Sequence, residues 1–396
     1  MNDYVIGLYN TPAQVNAADW DALLCAQAQP TPFMRHAYLH ALHASGSACP
    51  GTGWDACFVT LRQHNTLVAA TVLYIKSHSM GEYVFDWAWA NAYQQHGLHY
   101  YPKGVLAVPF TPVPASKLLA RNATARAALL RTLLQLAQQW KLSSLHLLFT
   151  DAADRAAAQQ AGMLLRHTVQ FHWSNHPDGY PDFDAFLASL AQDKRKKIRQ
   201  ERRKVQQAGI RFRHAHGRDI PAADWEFFYR CYERTYLEHG NAPYLSRNFF
   251  ARMAQTMPEN WLLFIAERQG HPIASSLIAL TQPAAGEAAA AHSKTAYGRY
   301  WGALERVDCL HFEACYYQPL EWCIAHGYQR FEGGAQGEHK MARALLPVQT
   351  TSAHWIAHPE FSRAIANFLG REAEGVGNYM EELRTRSPFR QVPDGG

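Results

Sequence analysis

The sequence predicts a mixed α/β protein made of two similar domains, and three features support this fold class. Strand-like segments alternate with longer segments of helical periodicity, as in proteins whose sheets are covered by helices. Residues 57–71 align with residues 263–277, and both contain two apolar strands around a short polar turn. Residues 125–149 and 310–332 each combine a helical pattern with a following strand. We therefore expect a tandem duplication with mixed central sheets flanked by helices.

The domain boundary is predicted in the turn-rich stretch HPDGYP at residues 176–181. This placement gives an N-terminal domain of residues 1–178 and a C-terminal domain of residues 179–383. Residues 384–396 end in PDGG, and we expect them to form a flexible tail. The alternative to duplication is that the two matching segments are unrelated hairpins. Helical patterns open both predicted domains, at residues 17–27, 33–44, 222–239 and 246–256.

Composition limits the class of protein. The chain has 396 residues, of which 48% are hydrophobic and 18% are charged, so it can bury the cores of two to three domains. No apolar run approaches the roughly 18 residues of a membrane span, and the first residues do not resemble a signal peptide. The seven cysteines contain no C-x-x-C pair, which argues against a disulfide scaffold or zinc ribbon and favours a reducing cytoplasm.

A basic helix is predicted over residues 182–208. Residues 194–204 contain eight Lys or Arg against one Glu, although the formal net charge of the whole chain is only +5. Two interpretations remain open: a phosphate-binding surface, or an ordinary solvated helix face. The run lacks the alternating charges that would neutralise it along the helix, so we count Lys197 among the candidate ligand-binding residues.

Residues 311–354 carry the highest density of chemically useful side chains, including several Glu and His residues. Glu332 stands at a predicted strand end and is followed by Gly333 and Gly334, which allow a sharp turn and close approach of a ligand. A metal site is the weaker interpretation because no H-E-x-x-H motif is present. Serine-hydrolase, P-loop and dinucleotide-binding motifs are also absent from the sequence.

Three segments carry a resemblance to a known family: FEGGAQGEHKMARALLPV, HFEACYYQPLEWCIAHGY and DWAWANAYQQHGLHYYPK. They resemble the FemAB-like proteins, N-acyltransferases of the GNAT superfamily associated with peptidoglycan biosynthesis or recognition. The resemblance covers nearly the whole chain, and DKRKKIRQERRKVQQAGI is similar to the basic helix of Fem-type aminoacyltransferases. It implies two GNAT-like domains in tandem. It also implies acyl or aminoacyl transfer to an amine, such as a small molecule or a peptidoglycan precursor.

The acyl donor stays open between acyl-CoA and aminoacyl-tRNA. Acyl-CoA-dependent GNAT enzymes carry a Q/R-x-x-G-x-G/A loop after their fourth strand. At the equivalent place, Arg299 and Gly302 fit, but Leu304 occupies the last position of the motif. Fem enzymes that use aminoacyl-tRNA carry a long antiparallel helical arm, which this sequence does not show. No resident cofactor or metal is expected.

Direct amide formation requires a base, groups that stabilise an oxyanion, and a groove that aligns two substrates. The candidate bases are Glu338 and His339, with Glu332 and Glu313 as alternates. In the alternative interpretation, Glu332, Glu338 and Arg343 form a buried ion-pair network that fixes the loop. The candidate donor-binding residues are Arg299, Gly302, Lys340, Arg343 and Lys197.

The aromatic segment of residues 83–112 is the candidate acceptor site, because aromatic rings can stack on a sugar or another ring. The alternative is that most of these aromatic residues belong to the core. Two further functional alternatives are a non-catalytic binding module and an RNA-binding protein; the oligomeric state is not predicted. The candidate acceptor-binding residues are Asp86, Trp87, Trp89, Tyr93, Tyr100 and Lys103.

Overall fold

The computed structural model describes residues 4–282, 294–335 and 337–390. The strands, in chain order, are β1 (Val5–Tyr9), β2 (Trp54–Gln63), β3 (Thr66–Lys76), β4 (Lys103–Leu106), β5 (Leu119–Ala120), β6 (Ser144–Leu147), β7 (Leu164–Ser174), β8 (Ile210–His216), β9 (Trp261–Arg268), β10 (His271–Leu280), β11 (Thr295–Ala303), β12 (Arg330–Glu332) and β13 (Leu346–Ile356).

The α-helices, in chain order, are α1 (Ala17–Cys25), α2 (His36–Ala44), α3 (Trp87–Gln95), α4 (Ala123–Gln139), α5 (Ala152–Gln160), α6 (Phe183–Ser189), α7 (Gln192–Gln207), α8 (Ala222–Glu238), α9 (Arg247–Thr256), α10 (Leu310–Phe312), α11 (Gln318–Ala325) and α12 (Pro359–Thr385). Helices α1, α2, α8 and α9 confirm the four helical segments that were predicted to open the two domains. None of the helices in the described part of the chain is long and apolar enough to cross a membrane.

The chain divides into two compact units. The first consists of Met1–Thr168, Tyr244–Phe249 and Gln349–Tyr379, and the second of Val169–Pro243, Phe250–Val348 and Met380–Gly396. The boundary predicted after residue 178 therefore lies inside the second unit. The reason is that the last part of β7 pairs with β12 in the second unit, whereas the last part of β13 pairs with β6 in the first.

The first unit contains a sheet with the strand order β1-β2-β3-β4-β6-β13, and β5 pairs separately with β3. All neighbouring strands in this order are antiparallel except β4 and β6, which are parallel. Helix α4 packs on this sheet through Leu129 and Leu133, which meet Leu73 of β3 and Leu145 of β6 in one apolar core.

The second unit repeats this arrangement. Its strand order is β8-β9-β10-β11-β12-β7, again antiparallel throughout except for the parallel pair β11 and β12. Val205 of α7 and Ile210 of β8 pack with Ala266 and Ile273 of the central hairpin. The same order with the same strand directions confirms the predicted duplication.

The two predicted hairpins are also confirmed. His64 and Asn65 join β2 to β3 with φ angles of 47° and 63°, and Gln269 and Gly270 join β9 to β10 with φ angles of 52° and 80°. Two consecutive positive φ values are typical of the type I′ turn, whose twist matches that of the flanking strands. The hairpins β2–β3 and β9–β10 thus share the same turn geometry.

Two segments differ from prediction. The single helix predicted over residues 182–208 is divided into α6 and α7, because Leu190 is buried in an extended conformation between them. The described part of the predicted tail is ordered, since Phe389 forms a β-bridge with Leu190 and Arg390 donates its N–H to Ser189 over 3.0 Å. Residues 391–396 of that predicted tail lie outside the described residues.

Candidate functional site

A cavity opens where the parallel strands β11 and β12 stop pairing. They pair from Thr295 opposite Arg330 to Tyr297 opposite Glu332, after which β12 ends and β11 continues to Ala303. The cavity has a volume of about 220 Å³. It is lined by β10, β11, the helical segment after β11 and the loop after β12, through Ser276, Gly298, Arg299, Tyr300, Trp301, His311, Cys315, Tyr316, Phe331, Gly333 and Lys340.

Lys340 supplies a buried ammonium group to this cavity. It lies in the 3₁₀ turn Glu338–Arg343, and only 5% of the residue is exposed. Its Nζ donates hydrogen bonds to the carbonyl oxygens of Gly333 at 2.7 Å and Ala335 at 2.8 Å, with a longer contact to Gly334 at 3.4 Å. Burial lowers the pKa of Lys340 to about 8. The group is therefore mainly positive at pH 7, although it loses its proton more easily than a solvated lysine.

His311 and Cys315 face the same cavity with different protonation chemistry. Desolvation lowers the pKa of His311 to about 4, so its imidazole is neutral at pH 7. Its ring lies 5.5 Å from that of Trp301 and 5.7 Å from that of Tyr316. Burial raises the pKa of Cys315 to about 12, which keeps its sulfur in the thiol form.

The helical segment that carries these side chains contains a π-helical turn, Glu313–Tyr317. Such a turn widens the helix locally and is frequent at functional sites. Glu313 begins this turn and is buried, and its carboxylate accepts hydrogen bonds from Arg202 at 3.1 Å and Gln318 at 2.7 Å. Burial raises the pKa of Glu313. Glu313 thus attaches the segment to α7 and does not line the cavity.

Arg299 and Gly302 do not form the donor loop that was expected. Both lie inside β11, and only Arg299 lines the cavity. Gly302 is opposite α8, where a Cβ atom would lie 2.0 Å from the carbonyl oxygen of Cys231. The glycine is therefore required for the close approach of strand and helix, and this observation corrects its predicted role in donor binding.

The two preferred candidate bases, Glu338 and His339, are both exposed and neither lines the cavity. Glu338 forms an ion pair with Arg386 at 2.9 Å. The ring of His339 lies 6.2 Å from that of Tyr316, and desolvation lowers its pKa. The structure therefore places both residues on the turn that carries Lys340 but outside the cavity wall.

Glu332 is buried at the end of β12, with its Oε1 atom 3.9 Å from Nδ1 of His172 on β7. Burial lowers the pKa of His172 to about 3, so this imidazole is neutral at pH 7. Phe331 and Gly333, on either side of Glu332, line the cavity, whereas Glu332 does not. This is the placement expected from the alternation of side chains along a strand.

Arg343 is fully buried and forms an ion pair with Glu201 of α7 at 2.7 Å. Its guanidinium also donates to the backbone oxygen of His339 at 2.6 Å and lies 3.6 Å from the centre of the Phe312 ring. The predicted role in donor binding is corrected, because these contacts hold the group in the interior. The alternative interpretation placed Arg343 in an ion-pair network with Glu332 and Glu338, whereas its observed partner is Glu201.

The outer face of α7 is strongly basic. Its buried side chains include Ile198 and Val205, and these anchor the helix to the second unit. Arg202 and Arg199 are paired with carboxylates. Four of the basic residues are exposed and form no ion pair among the described residues; they are Lys196, Lys197, Arg203 and Lys204. These four are named the basic face below.

Five of the six predicted acceptor-binding residues are buried in the first unit. The Nζ atom of Lys103 is buried and donates to Ser79 at 2.7 Å, Glu82 at 2.8 Å and Asp86 at 2.5 Å. The hydroxyl of Tyr100 donates to Asp86 at 2.7 Å. Burial of at least 96% at each of the four residues Asp86, Trp89, Tyr100 and Lys103 argues against an open binding surface there.

The two remaining candidates of this segment differ from each other. Trp87 at the start of α3 is 47% exposed. Tyr93 is buried, but it lines a second cavity, of about 630 Å³, in the first unit. Its hydroxyl has no hydrogen-bond partner among the described residues.

The described residues contain neither a group of side chains suited to a metal ion nor a disulfide bond. Across residues 4–282, 294–335 and 337–390, no group of three or more His, Cys, Asp or Glu side chains is arranged to hold a metal ion. All seven cysteines are free thiols.

The family of the chain follows from a match along nearly its full length. A family model described as FemAB-like, peptidoglycan biosynthesis/recognition, matches residues 11–391. The chain belongs to the FemAB-like family. This is the family that the resemblance of the sequence predicted. A search of curated protein sequences finds no significant match.

Two solved structures share the fold of this FemAB-like protein. The crystal structure of FemX aligns with a TM-score of 0.52 at 10% identity, covering 89% of this chain and 98% of that one. The C-terminal domain of a putative lysylphosphatidylglycerol synthetase from Agrobacterium fabrum aligns with a TM-score of 0.52 at 8% identity, covering 90% and 96%. At these identities the likeness shows the fold alone.

The sequence did not identify three polar residues of the cavity wall as site residues: Ser276, His311 and Cys315. His311 lies in the Glu- and His-rich segment and could have been selected with its neighbours. Ser276 is a small residue within a strand pattern, and nothing local distinguishes it. Only the pairing of β10 with β11 brings it to the cavity.

Proposed function

We propose that this FemAB-like protein transfers an aminoacyl or acyl group to an amine within the cavity between β11 and β12. The observation that carries the proposal is the ammonium group of Lys340, which the carbonyl oxygens of Gly333 and Ala335 hold at the cavity wall. Amide formation passes through a tetrahedral intermediate with a negatively charged oxygen. A cation fixed in advance beside that oxygen stabilises the transition state.

Lys340 can donate a hydrogen bond to an oxyanion while its ammonium group keeps its contacts with Gly333 and Ala335. An ammonium has three N–H donors, and two of them are occupied by Gly333 and Ala335. The third contact, to Gly334, is long at 3.4 Å, so this N–H can turn toward a ligand. Lys340 thus supplies one donor for the developing charge.

We assign the proton acceptor to His311. The attacking nitrogen must lose a proton, and a neutral imidazole can receive it. Among the residues that line the cavity, His311 combines a neutral ring nitrogen at pH 7 with a position on the wall. Glu338 and His339 remain as weaker alternatives, because neither of them lines that wall.

The transfer is proposed to be direct, without an acyl-enzyme intermediate. Cys315 lines the cavity, and a cysteine can act as a nucleophile, but burial raises the pKa of this thiol to about 12. A thiol with so high a pKa is almost wholly protonated at pH 7 and is a poor nucleophile. The amine therefore attacks the donor carbonyl itself. The tetrahedral intermediate then breaks its bond to the ribose oxygen of the tRNA (or to the sulfur of CoA), and this leaving group takes the proton that His311 received.

We propose aminoacyl-tRNA as the donor, with acyl-CoA as the alternative. The basic face presents four unpaired cations on one helix of the second unit, which suits a phosphate backbone. Arg299 and Gly302 belong to β11, so they do not form the pyrophosphate-binding loop that an acyl-CoA donor would use. A peptidoglycan precursor with a free amine is the proposed acceptor, in keeping with the description of the family.

The test is a transfer assay with labelled donors. The protein is incubated with tRNA charged with a ¹⁴C-amino acid, or with ¹⁴C-acetyl-CoA, and with a nucleotide-linked muropeptide that ends in a free amine. We expect the label to move to the muropeptide from the charged tRNA. Transfer from acetyl-CoA alone would replace the proposed donor. Binding of both substrates without any transfer would support a non-catalytic recognition protein instead.

The basic face has its own control. Lys196→Glu with Lys197→Glu should weaken tRNA binding at least tenfold and reduce the dependence of affinity on salt concentration. Lys294→Glu is the matched control, because Lys294 is also an exposed lysine of the second unit but lies outside the basic face. Equal losses from the control and from the basic-face variant would remove the basic face as the tRNA site.

A further inference from the structure

The second cavity lies entirely within the first unit and is separate in composition from the proposed transfer site. It has a volume of about 630 Å³, within the range of small-molecule sites. Residues that precede β4 and β6 form part of its wall, including Tyr101 and Ser143. The cavity therefore opens at the amino ends of these two parallel strands. The transfer cavity, by contrast, opens where β12 ends, at its carboxyl side.

One side of this second cavity is apolar and aromatic. Trp355 and Tyr101 are half-buried, so each presents part of its ring to the cavity while the rest is packed. Leu98 adds an exposed aliphatic side chain. Aromatic rings in such a position stack on the faces of sugars and other rings.

The other side is polar and carries positive charge. Lys141 is exposed beside the cavity, and His99 and His358 contribute imidazole rings. No carboxylate side chain is found among the described residues of the wall. A lysine without a competing carboxylate favours an anionic group on the ligand.

Two buried polar atoms of the wall also lack partners. The hydroxyl of Tyr93, a residue that is 97% buried, makes no hydrogen bond among the described residues, and neither does Nδ1 of His358. Unpaired buried polar atoms are costly, so they are usually satisfied by a ligand or by water. Burial raises the pKa of Tyr93 to about 12, which leaves its hydroxyl protonated and able to donate.

We infer that this second cavity binds a sugar-sized ring that carries a phosphate or carboxylate group. The ring stacks on Trp355 and Tyr101, the anion pairs with Lys141, and the Tyr93 hydroxyl donates to the ring substituents. The site is independent of the transfer reaction proposed for the second unit, and either assignment can fail without the other.

Isothermal titration calorimetry with three probes tests the inference: N-acetylglucosamine 1-phosphate, neutral N-acetylglucosamine and inorganic phosphate. We expect the phosphorylated sugar to bind at least tenfold more tightly than either of the others. Lys141→Met should reduce its affinity to that of the neutral sugar and leave the neutral sugar unaffected. Trp355→Leu should weaken both sugars about tenfold.

Matched controls separate binding from folding. Lys294→Met and Phe85→Leu change an exposed lysine and an exposed aromatic residue that do not line the cavity, and both should bind like the unaltered protein. The Tm of each variant shows whether it is folded. If Trp355→Leu does not fold, the test rests on Lys141→Met alone. Equal affinity for all three probes, no binding at millimolar concentration, or affinity unchanged by Lys141→Met would overturn the assignment.

Discussion

Lys340 donates a hydrogen bond from Nζ to the carbonyl oxygen of Gly333, seven residues earlier in the chain, at 2.7 Å. The loop after β12 is thereby folded around the ammonium group that faces the cavity. A Cβ atom at position 333 would lie 2.3 Å from Leu345 and 3.1 Å from the backbone oxygen of Phe171. The glycine is therefore needed for the backbone to pass this point and present its carbonyl to Lys340.

The charge of Lys340 predicts that the transfer rate depends on pH, and that this dependence is absent when arginine, which stays charged, replaces the lysine. Its pKa is lowered to about 8, so the ammonium is present below pH 8 and is lost as the pH rises through 8. We expect the transfer rate of the unaltered protein, divided by that of Lys340→Arg, to fall above pH 8, because arginine stays charged. Taking the ratio cancels titration of the acceptor amine. A ratio that stays constant from pH 6 to pH 10 would show that the charge of Lys340 is not used.

Cys315 provides a test for a covalent intermediate. If the amine attacks the donor directly, Cys315→Ser should retain transfer activity within about threefold, since serine keeps the size and the hydrogen-bonding ability of the side chain. Single-turnover transfer and mass spectrometry of the quenched protein check this expectation. An acyl group found on position 315 of the unaltered protein, or a thousandfold loss in the variant, would establish a thioester route.

Gly302 predicts a specific loss of stability. Gly302→Ala would place a Cβ atom 2.0 Å from the backbone oxygen of Cys231, so strand and helix must separate, at a cost of about 3 kcal/mol. Gly370→Ala is the matched control, because nothing lies within 4 Å of its Cβ position on helix α12. There alanine should raise stability by roughly 0.5 kcal/mol, since it is the better helix former. Thermal unfolding that ranks the two variants in the opposite order would contradict this description of the β11–α8 contact.

Buried imidazoles predict acid sensitivity of the first unit. Nδ1 of His354 lies 2.7 Å from Nδ1 of His146, and burial lowers the pKa of His354 to about 3. The unfolded chain takes up the proton near pH 6.5, whereas the folded chain does not, so stability is complete above pH 6.5 and falls toward pH 3. The loss should reach about 2 kcal/mol for one such imidazole at pH 5.

Denaturant unfolding at several pH values measures this loss. His354→Gln should reduce the slope of stability against pH by about one proton between pH 6 and pH 4. His64→Asn, at an exposed turn residue, is the control and should keep the slope of the unaltered protein. An unchanged slope in His354→Gln would mean that His354 is not the source of acid sensitivity.

The duplication was predictable because it rests on local patterns. Hairpin turns, strand alternation and helix-to-strand transitions are each determined within about 20 residues, and they recur in both halves. The boundary after residue 178 was not predictable, since it depends on pairing between distant segments. Strand β7 pairs with β12, and β13 pairs with β6, so each sheet is completed by a strand from elsewhere in the chain.

The candidate site was predicted only in part, for a related reason. Composition located the segment that holds Lys340 and His311, but not which side chains face inward. In the sequence, Arg343 and Lys103 cannot be distinguished from cations on the surface. In the structure both are buried, because Arg343 forms an ion pair with Glu201 and Lys103 forms one with Glu82. Such partners come from other elements of the fold, so a single sequence does not reveal them.

The most direct test of the central claim is the single-turnover rate of label transfer by Lys340→Met, with Lys294→Met as the control. Removing one preorganised oxyanion donor typically costs about 100-fold or more in rate. We expect Lys340→Met to lose at least that much while its affinity for the charged donor changes by less than about threefold. Lys294→Met should transfer at the unaltered rate. Transfer by Lys340→Met at the rate of the unaltered protein would contradict the assignment of the cavity as the place where the amide forms.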